Sequence, residues 1–83
     1  MIVHIDSKAI KDLSKILKSD AQKILSKIEY LKEFPCVPNI KKLTKFEPPY
    51  RLRVGNYRVL FDIQDDTVTV YRVRHRRESY SSK

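Results

Sequence analysis

The spacing of apolar residues along this 83-residue chain changes period once, near Ile40, and that change limits the possible folds more than any other feature. Before it, apolar side chains recur every three or four positions. After it, they alternate with polar ones. The first period builds helices that bury one stripe, and the second builds strands that bury one face. A chain that carries both in two blocks folds by laying its helices on a sheet, which is an α+β architecture.

Ile2-Val3-His4-Ile5 is a short run rich in β-branched residues and a candidate first strand. Asp6 or Ser7 can cap the helix that follows, in which Ile10, Leu13, Ile16 and Leu17 recur at helical spacing. Ser19-Asp20-Ala21-Gln22 reads as a capping box opening a second helix, with Ala21, Ile24, Leu25, Ile28 and Leu31 on one stripe, and Pro35 closes it. Two such helices with a short connection form an antiparallel hairpin. Leu43-Thr44-Lys45-Phe46 reads as an edge strand before the break at Pro48-Pro49. Tyr50-Arg51-Leu52-Arg53-Val54 alternates cleanly, Gly55-Asn56 is a two-residue hairpin turn, 57–63 is the returning strand, and Asp65-Asp66 turns the chain into a last strand over 67–73. The expected fold is α+β: an N-terminal strand and a two-helix antiparallel hairpin packed on one face of a small antiparallel β-sheet, as one domain over residues 1–83.

Charge is divided along the same boundary. All seven arginines fall between Arg51 and Arg77, whereas the first 50 residues hold ten of the eleven lysines and no arginine. Lysine suits a solvated helix face, while arginine offers a planar fork of donors that matches phosphate oxygens in pairs. A net charge of +8 implies an anionic partner: nucleic acid, membrane surface or acidic protein. No apolar run reaches a spanning length, which disfavours the membrane. Cys36 is the one cysteine, and His4 and His75 lack the spacing of a metal site, so no metal site is expected. The N-terminus does not read as a signal peptide, and a cytoplasmic location is expected.

Strand alternation assigns the arginines to a face. Burying Leu52 and Val54 turns Arg51 and Arg53 outward, and burying Tyr57, Val59, Phe61 and Ile63 leaves Arg58 beside them. Burying Tyr71 and Val73 adds Arg72 and Arg74 to the same face. Val68 and Val70 have the opposite parity, so they too are buried only if a bulge shifts the register. Like charges gathered on adjacent strands repel unless an anion lies between them. The alternative is a solvated basic face relieved by Asp62 and Glu78. Tyr80 fits either a core-edge aromatic or a base-stacking platform.

The order strand, two helices and sheet, with the hairpin Tyr50-Arg51-Leu52-Arg53-Val54-Gly55-Asn56-Tyr57-Arg58-Val59-Leu60-Phe61 and the ending His75-Arg76-Arg77-Glu78-Ser79-Tyr80, resembles the RelE/ParE superfamily of toxins from type II toxin–antitoxin systems. The resemblance covers essentially the whole chain and is nearest to the RelE branch. It implies a ribosome-dependent endoribonuclease that cuts mRNA in the A site without a metal or other cofactor. It also implies a cognate antitoxin, RelB-like and acidic, that folds on binding. Carried over by position, the resemblance makes Arg53, Arg58, His75, Arg76 and Tyr80 the candidate catalytic residues, with Arg51, Arg72, Arg74 and Arg77 as RNA contacts. Arg51 and Arg53 stand where well-known members often carry lysine, and arginine, with a pKa above about 12, is a poor proton acceptor. Either His75 serves as base, or catalysis is mainly electrostatic, or cleavage is lost. A ParE-like DNA gyrase inhibitor on the same scaffold is the alternative function.

Overall fold

The computed structural model describes residues 1–77. Strand β1 (Ile2–Ile5) leads into helices α1 (Ser7–Ser14) and α2 (Lys18–Glu29), and a 3-10 turn at Tyr30–Glu33 ends the helical part. Four strands follow: β2 (Ile40–Lys42), β3 (Tyr50–Val54), β4 (Tyr57–Gln64) and β5 (Thr67–His75). They form one sheet in the order β1-β5-β4-β3-β2. The expected α+β fold is present. The sheet is mixed rather than purely antiparallel, because β1 pairs in parallel with β5, from Ile2 opposite Thr67 to Ile5 opposite Val70. No helix among the described residues is long and apolar enough to cross a membrane.

Both helices bury a narrow stripe against one face of the sheet. Ala9 and Leu13 from α1, and Ile24 and Ile28 from α2, join Leu31, Leu52, Val59, Phe61, Val68, Val70 and Val73 in one core cluster. The i, i+4 spacing within each pair places both side chains on one side of the helix. Ile10 and Leu25, which share the helical period, lie outside that stripe and stay exposed. Asp6 caps α1 by accepting a hydrogen bond from the Lys8 amide at 3.0 Å. The capping box expected at Ser19 does not form. The Leu17 carbonyl already accepts from the Ala21 amide, so α2 starts at Lys18 and Ser19 lies inside its first turn.

The edge strand also differs from expectation. β2 spans Ile40–Lys42, and the 43–46 stretch is a loop. Leu43 donates its amide to the Pro49 carbonyl at 2.8 Å, and Lys45 adopts a left-handed φ of 66°. These two features close a loop that turns back over the sheet.

The β3–β4 hairpin turns at Gly55, whose φ of 58° is the left-handed conformation needed at the first position of a tight turn. Its register pairs Leu52 with Val59 and Arg53 with Arg58. Between β4 and β5 the register shifts at Leu60/Phe61: Leu60 faces Arg72 and Phe61 faces Val70, leaving Tyr71 as the extra residue. This bulge lets Val68, Val70 and Val73 all reach the core and leaves Tyr71 outside it, exposed.

One side chain holds β5 just after the bulge. β1 ends opposite Val70, so the outer edge of β5 beyond that point lacks a strand partner. Asp12 of α1 fills the gap. Its carboxylate accepts from Arg72 Nε at 2.8 Å, from a second Arg72 nitrogen at 2.9 Å and from the Val73 amide at 2.9 Å. Burial works to raise the Asp12 carboxyl pKa. The hydrogen bonds from Arg72 and Val73, with the positive charges of Arg72 and Arg74, outweigh it and hold that pKa below its ordinary value. A lowered folded-state pKa stabilises the fold above the unfolded carboxyl pKa of about 3.9, and this contribution disappears as pH falls through the folded value. Asp12→Asn is therefore expected to cost about 2 kcal/mol at neutral pH, with the gap to wild type narrowing below about pH 4. Urea denaturation of both proteins across that pH range checks it; an equal gap at every pH would contradict it.

Candidate functional site

The sheet face turned away from the helices carries five arginines in two cross-strand rows. Arg53 of β3 pairs with Arg58 of β4, which pairs with Arg74 of β5. In the next row Arg51 pairs with Leu60, which pairs with Arg72. Directly paired residues in a sheet hold their Cβ atoms about 5 Å apart, so the first row concentrates three positive charges at neighbouring positions. Arg53 is exposed, and Arg58 and Arg74 are half-buried. Arg58 donates to the carbonyls of Gly55 at 3.2 Å and Tyr57 at 3.0 Å, which draws its guanidinium toward the hairpin turn. Arg53 reaches the Asn39 side-chain oxygen at 3.4 Å. Neutral acceptors thus orient Arg53 and Arg58, while Arg74 lies within range of the Asp12 charge.

The second row is structurally committed. Arg51 is only 3% exposed. It donates to the carbonyls of Pro48 and Tyr50, and its guanidinium lies 5.4 Å from the centre of the Phe46 ring. The 43–49 loop folds over it, so Arg51, although on the expected face, is a buried anchor. Arg72 is engaged by Asp12. Of the five arginines assigned to this face from the sequence, three are displayed and two hold the scaffold.

The end of β5 separates the histidine from the arginine row. His75 pairs with Tyr57 and so lies on the helix side of the sheet, its ring 5.6 Å from the Tyr57 ring in an edge-on contact. Its Nδ1 accepts from the Arg77 amide at 3.3 Å. The imidazole does not face the arginine row. Arg76 donates its backbone amide to the Asn56 carbonyl at 2.7 Å, which ties the end of β5 to the hairpin turn. Arg76 and Arg77 are exposed. Tyr80 and Glu78 lie outside the described residues.

Two hollows flank Arg53. The smaller, about 230 Å³, is lined by Asn39, Ile40, Lys41, Arg51, Arg53 and Arg58. The larger, about 650 Å³, lies between α2 and the hairpin turn, and its charged lining is Lys23, Lys27, Arg53 and Arg76. Lys23, Lys27, Asn39 and Lys41 were not singled out by the sequence. The i, i+4 spacing of Lys23 and Lys27 was visible, but it reads equally as a solvated helix face. Among the described residues no group of three or more His, Cys, Asp or Glu side chains could hold a metal ion.

Comparison with known proteins agrees with this fold. Residues 3–80 match the family model of the ParE toxin of the type II toxin–antitoxin system parDE. A Methanocaldococcus jannaschii protein named Toxin RelE3 is 43% identical over 42 residues, a match spanning 51% of this chain and 48% of the relative. A second protein of that organism, which carries the name RelE1, is 35% identical over 80 residues, 92% of this chain and 89% of the relative. Among solved structures, the toxin–antitoxin complex RelBE2 from Mycobacterium tuberculosis contains a chain with a TM-score of 0.76 and 28% identity, covering 89% of this chain and 95% of that one.

The division of the arginines is open to test. Arg51→Ala is expected to destabilise the domain by about 2–3 kcal/mol, through lost hydrogen bonds and lost packing of its stem. Arg53→Ala, on the exposed row, is expected to change stability by less than about 0.5 kcal/mol. Thermal or urea denaturation reads both, and equal effects would contradict the division.

Proposed function

This chain belongs to the RelE/ParE superfamily of type II toxin–antitoxin toxins, and on that premise we propose that it is a ribosome-dependent endoribonuclease that cuts mRNA in the A site. The observation that carries the proposal is the in-register row Arg53, Arg58 and Arg74. Three like charges side by side favour an anion, and the guanidinium plane matches phosphate oxygens two at a time.

Cleavage of RNA by its own 2′-hydroxyl forms a bond from the 2′-oxygen to phosphorus and breaks the bond to the 5′-oxygen. The products are a 2′,3′-cyclic phosphate and a 5′-hydroxyl: the 2′-hydroxyl gives up its proton to water as the leaving 5′-oxygen takes one up. The step needs in-line geometry and a counter-charge for the phosphorane. Arg53, Arg58 and Arg74 supply that counter-charge as preorganised donors, with Arg76 at the same end of the sheet. Among the described residues, no imidazole or carboxylate lines the hollow beside Arg58. The His75 ring lies on the other face, so the reading favoured here is electrostatic: the arginines stabilise the transition state, and the ribosome orients the message. Tyr80, as a stacking platform, would hold a base beside the cut.

The partner that restrains this activity is proposed to be a RelB-like antitoxin whose acidic segment folds across the arginine face. The similarity to a chain of a solved toxin–antitoxin complex supports it. The site of action is proposed to be the cytoplasm. A second reading, inhibition of DNA gyrase, is favoured by the match to the ParE family model.

In a purified translation system, mRNA cuts mapped by primer extension are expected at A-site codons only when ribosomes are present. Arg58→Ala and Arg76→Ala are expected to reduce cutting at least about 100-fold, the scale of losing a transition-state donor. Arrest without cuts would leave ribosome binding alone, and inhibited supercoiling with unaffected translation would establish the gyrase reading.

A further inference from the structure

Of the larger hollow, the chemistry above uses only Arg53 and Arg76. It is bounded by Lys23, Ser26 and Lys27 of α2, by Asn39, by Arg53 and the turn residues Val54, Gly55 and Asn56, and by Arg76. Three properties of this lining restrict what it can bind. Among the described residues it contains four cationic side chains and no carboxylate. Its neutral polar groups come from Ser26, Asn39 and Asn56, which suit oxygen-rich ligands. Among the described residues it contains no aromatic ring, so these residues offer no surface on which a base could stack. At about 650 Å³ it is as large as an ordinary ligand pocket.

Its position matters as much as its lining. Arg53 and Asn39 line both this hollow and the smaller one that holds Lys41 and Arg58. The two basic hollows therefore meet across the Arg53–Asn39 contact, and an extended anion held at the arginine row can continue into the larger one. Lys23 and Lys27 stand one helical turn apart, a rise of roughly 6 Å, on the side of α2 that faces this path. Among the described residues neither lysine forms an ion pair, so both are available to a ligand.

We propose that the cleft between α2 and the β3–β4 turn is a backbone-binding groove for RNA next to the cut, in which Lys23 and Lys27 hold phosphates without regard to base. The inference rests on the nuclease reading for its ligand. Lys23 and Lys27 are positioning residues: they fix the strand's path so that the scissile phosphate meets the arginine row, and they touch no reacting atom. Phosphate contacts of this kind set register and carry no sequence information.

The test is binding of the full chain to a fluorescent single-stranded RNA whose riboses are 2′-O-methylated, so that it cannot be cut. Affinity is followed by anisotropy from about 50 to about 200 mM salt, a range over which phosphate contacts are strongly screened. Lys23→Ala/Lys27→Ala is expected to reduce the slope of log affinity against log salt by about 1.4, the release expected for two single-strand phosphate contacts. The reduction is expected to be the same for oligonucleotides of different sequence, and Lys23→Arg/Lys27→Arg is expected to retain the wild-type slope. An unchanged slope in the alanine variant overturns the inference, as does a wild-type chain that does not bind the RNA. Unchanged RNA binding with weakened association to an acidic antitoxin segment overturns it in favour of a protein partner. Failure of the nuclease reading is scored separately: RNA bound with the expected slopes, but never cut on ribosomes, removes the catalysis and keeps the groove.

Discussion

The extra residue in β5 decides what both faces of the sheet become. Val68 and Val70 must reach the core, and simple alternation would then send Arg72 and Arg74 into the core as well. The bulge at Tyr71 reverses the parity once. Val73 rejoins the core, Arg72 and Arg74 move to the open face, and Arg74 comes into register with Arg58 and Arg53. A bulge leaves the strand locally weaker, and here it falls where β1 has ended. Asp12 compensates by binding the Val73 amide and the Arg72 guanidinium together. One carboxylate thus fastens α1 to the sheet and fixes the strand that completes the arginine row.

Arginine serves two purposes on this face. Arg51 and Arg72 are locked into the scaffold, one under the 43–49 loop and one by Asp12. Arg53, Arg58 and Arg74 are held at the surface, and their hydrogen bonds, where present, run to neutral oxygens that orient a guanidinium without cancelling its charge. Mutual repulsion in such a row is a standing cost to the fold of a few tenths of a kcal/mol per pair. Binding an anion relieves that repulsion, and the fixed geometry spares the reorganisation that flexible cations would need. The fold gives up a little stability so that the site is ready before its ligand arrives.

Much of this was legible in the sequence. The Gly55-Asn56 turn fixes the length of the β3–β4 hairpin and therefore places Arg53 opposite Arg58. The parity conflict between Val70 and Val73 announced a bulge. The position of His75 was also implied, since it shares the parity of Val73 and follows it to the helix side. Features that depend on distant contact were not legible. Asp12 meets Arg72 across 60 residues of sequence. The burial of Arg51 depends on a loop with no periodicity, in which Phe46 reads as well as a strand residue as it does as a cover. The Ser19 motif fits a capping box locally, and it fails because the helix begins two residues earlier than that motif requires.

The most direct test of the arginine row is an NMR titration of the ¹⁵N-arginine-labelled protein with an uncleavable 2′-O-methyl dinucleotide, following the side-chain Nε–H signals. The expected result is that Arg53, Arg58 and Arg74 shift together and saturate with a single binding constant, while Arg51 and Arg72 hold their positions. Shifts confined to other arginines, or three signals that titrate independently, would contradict a single preorganised anion site on this face.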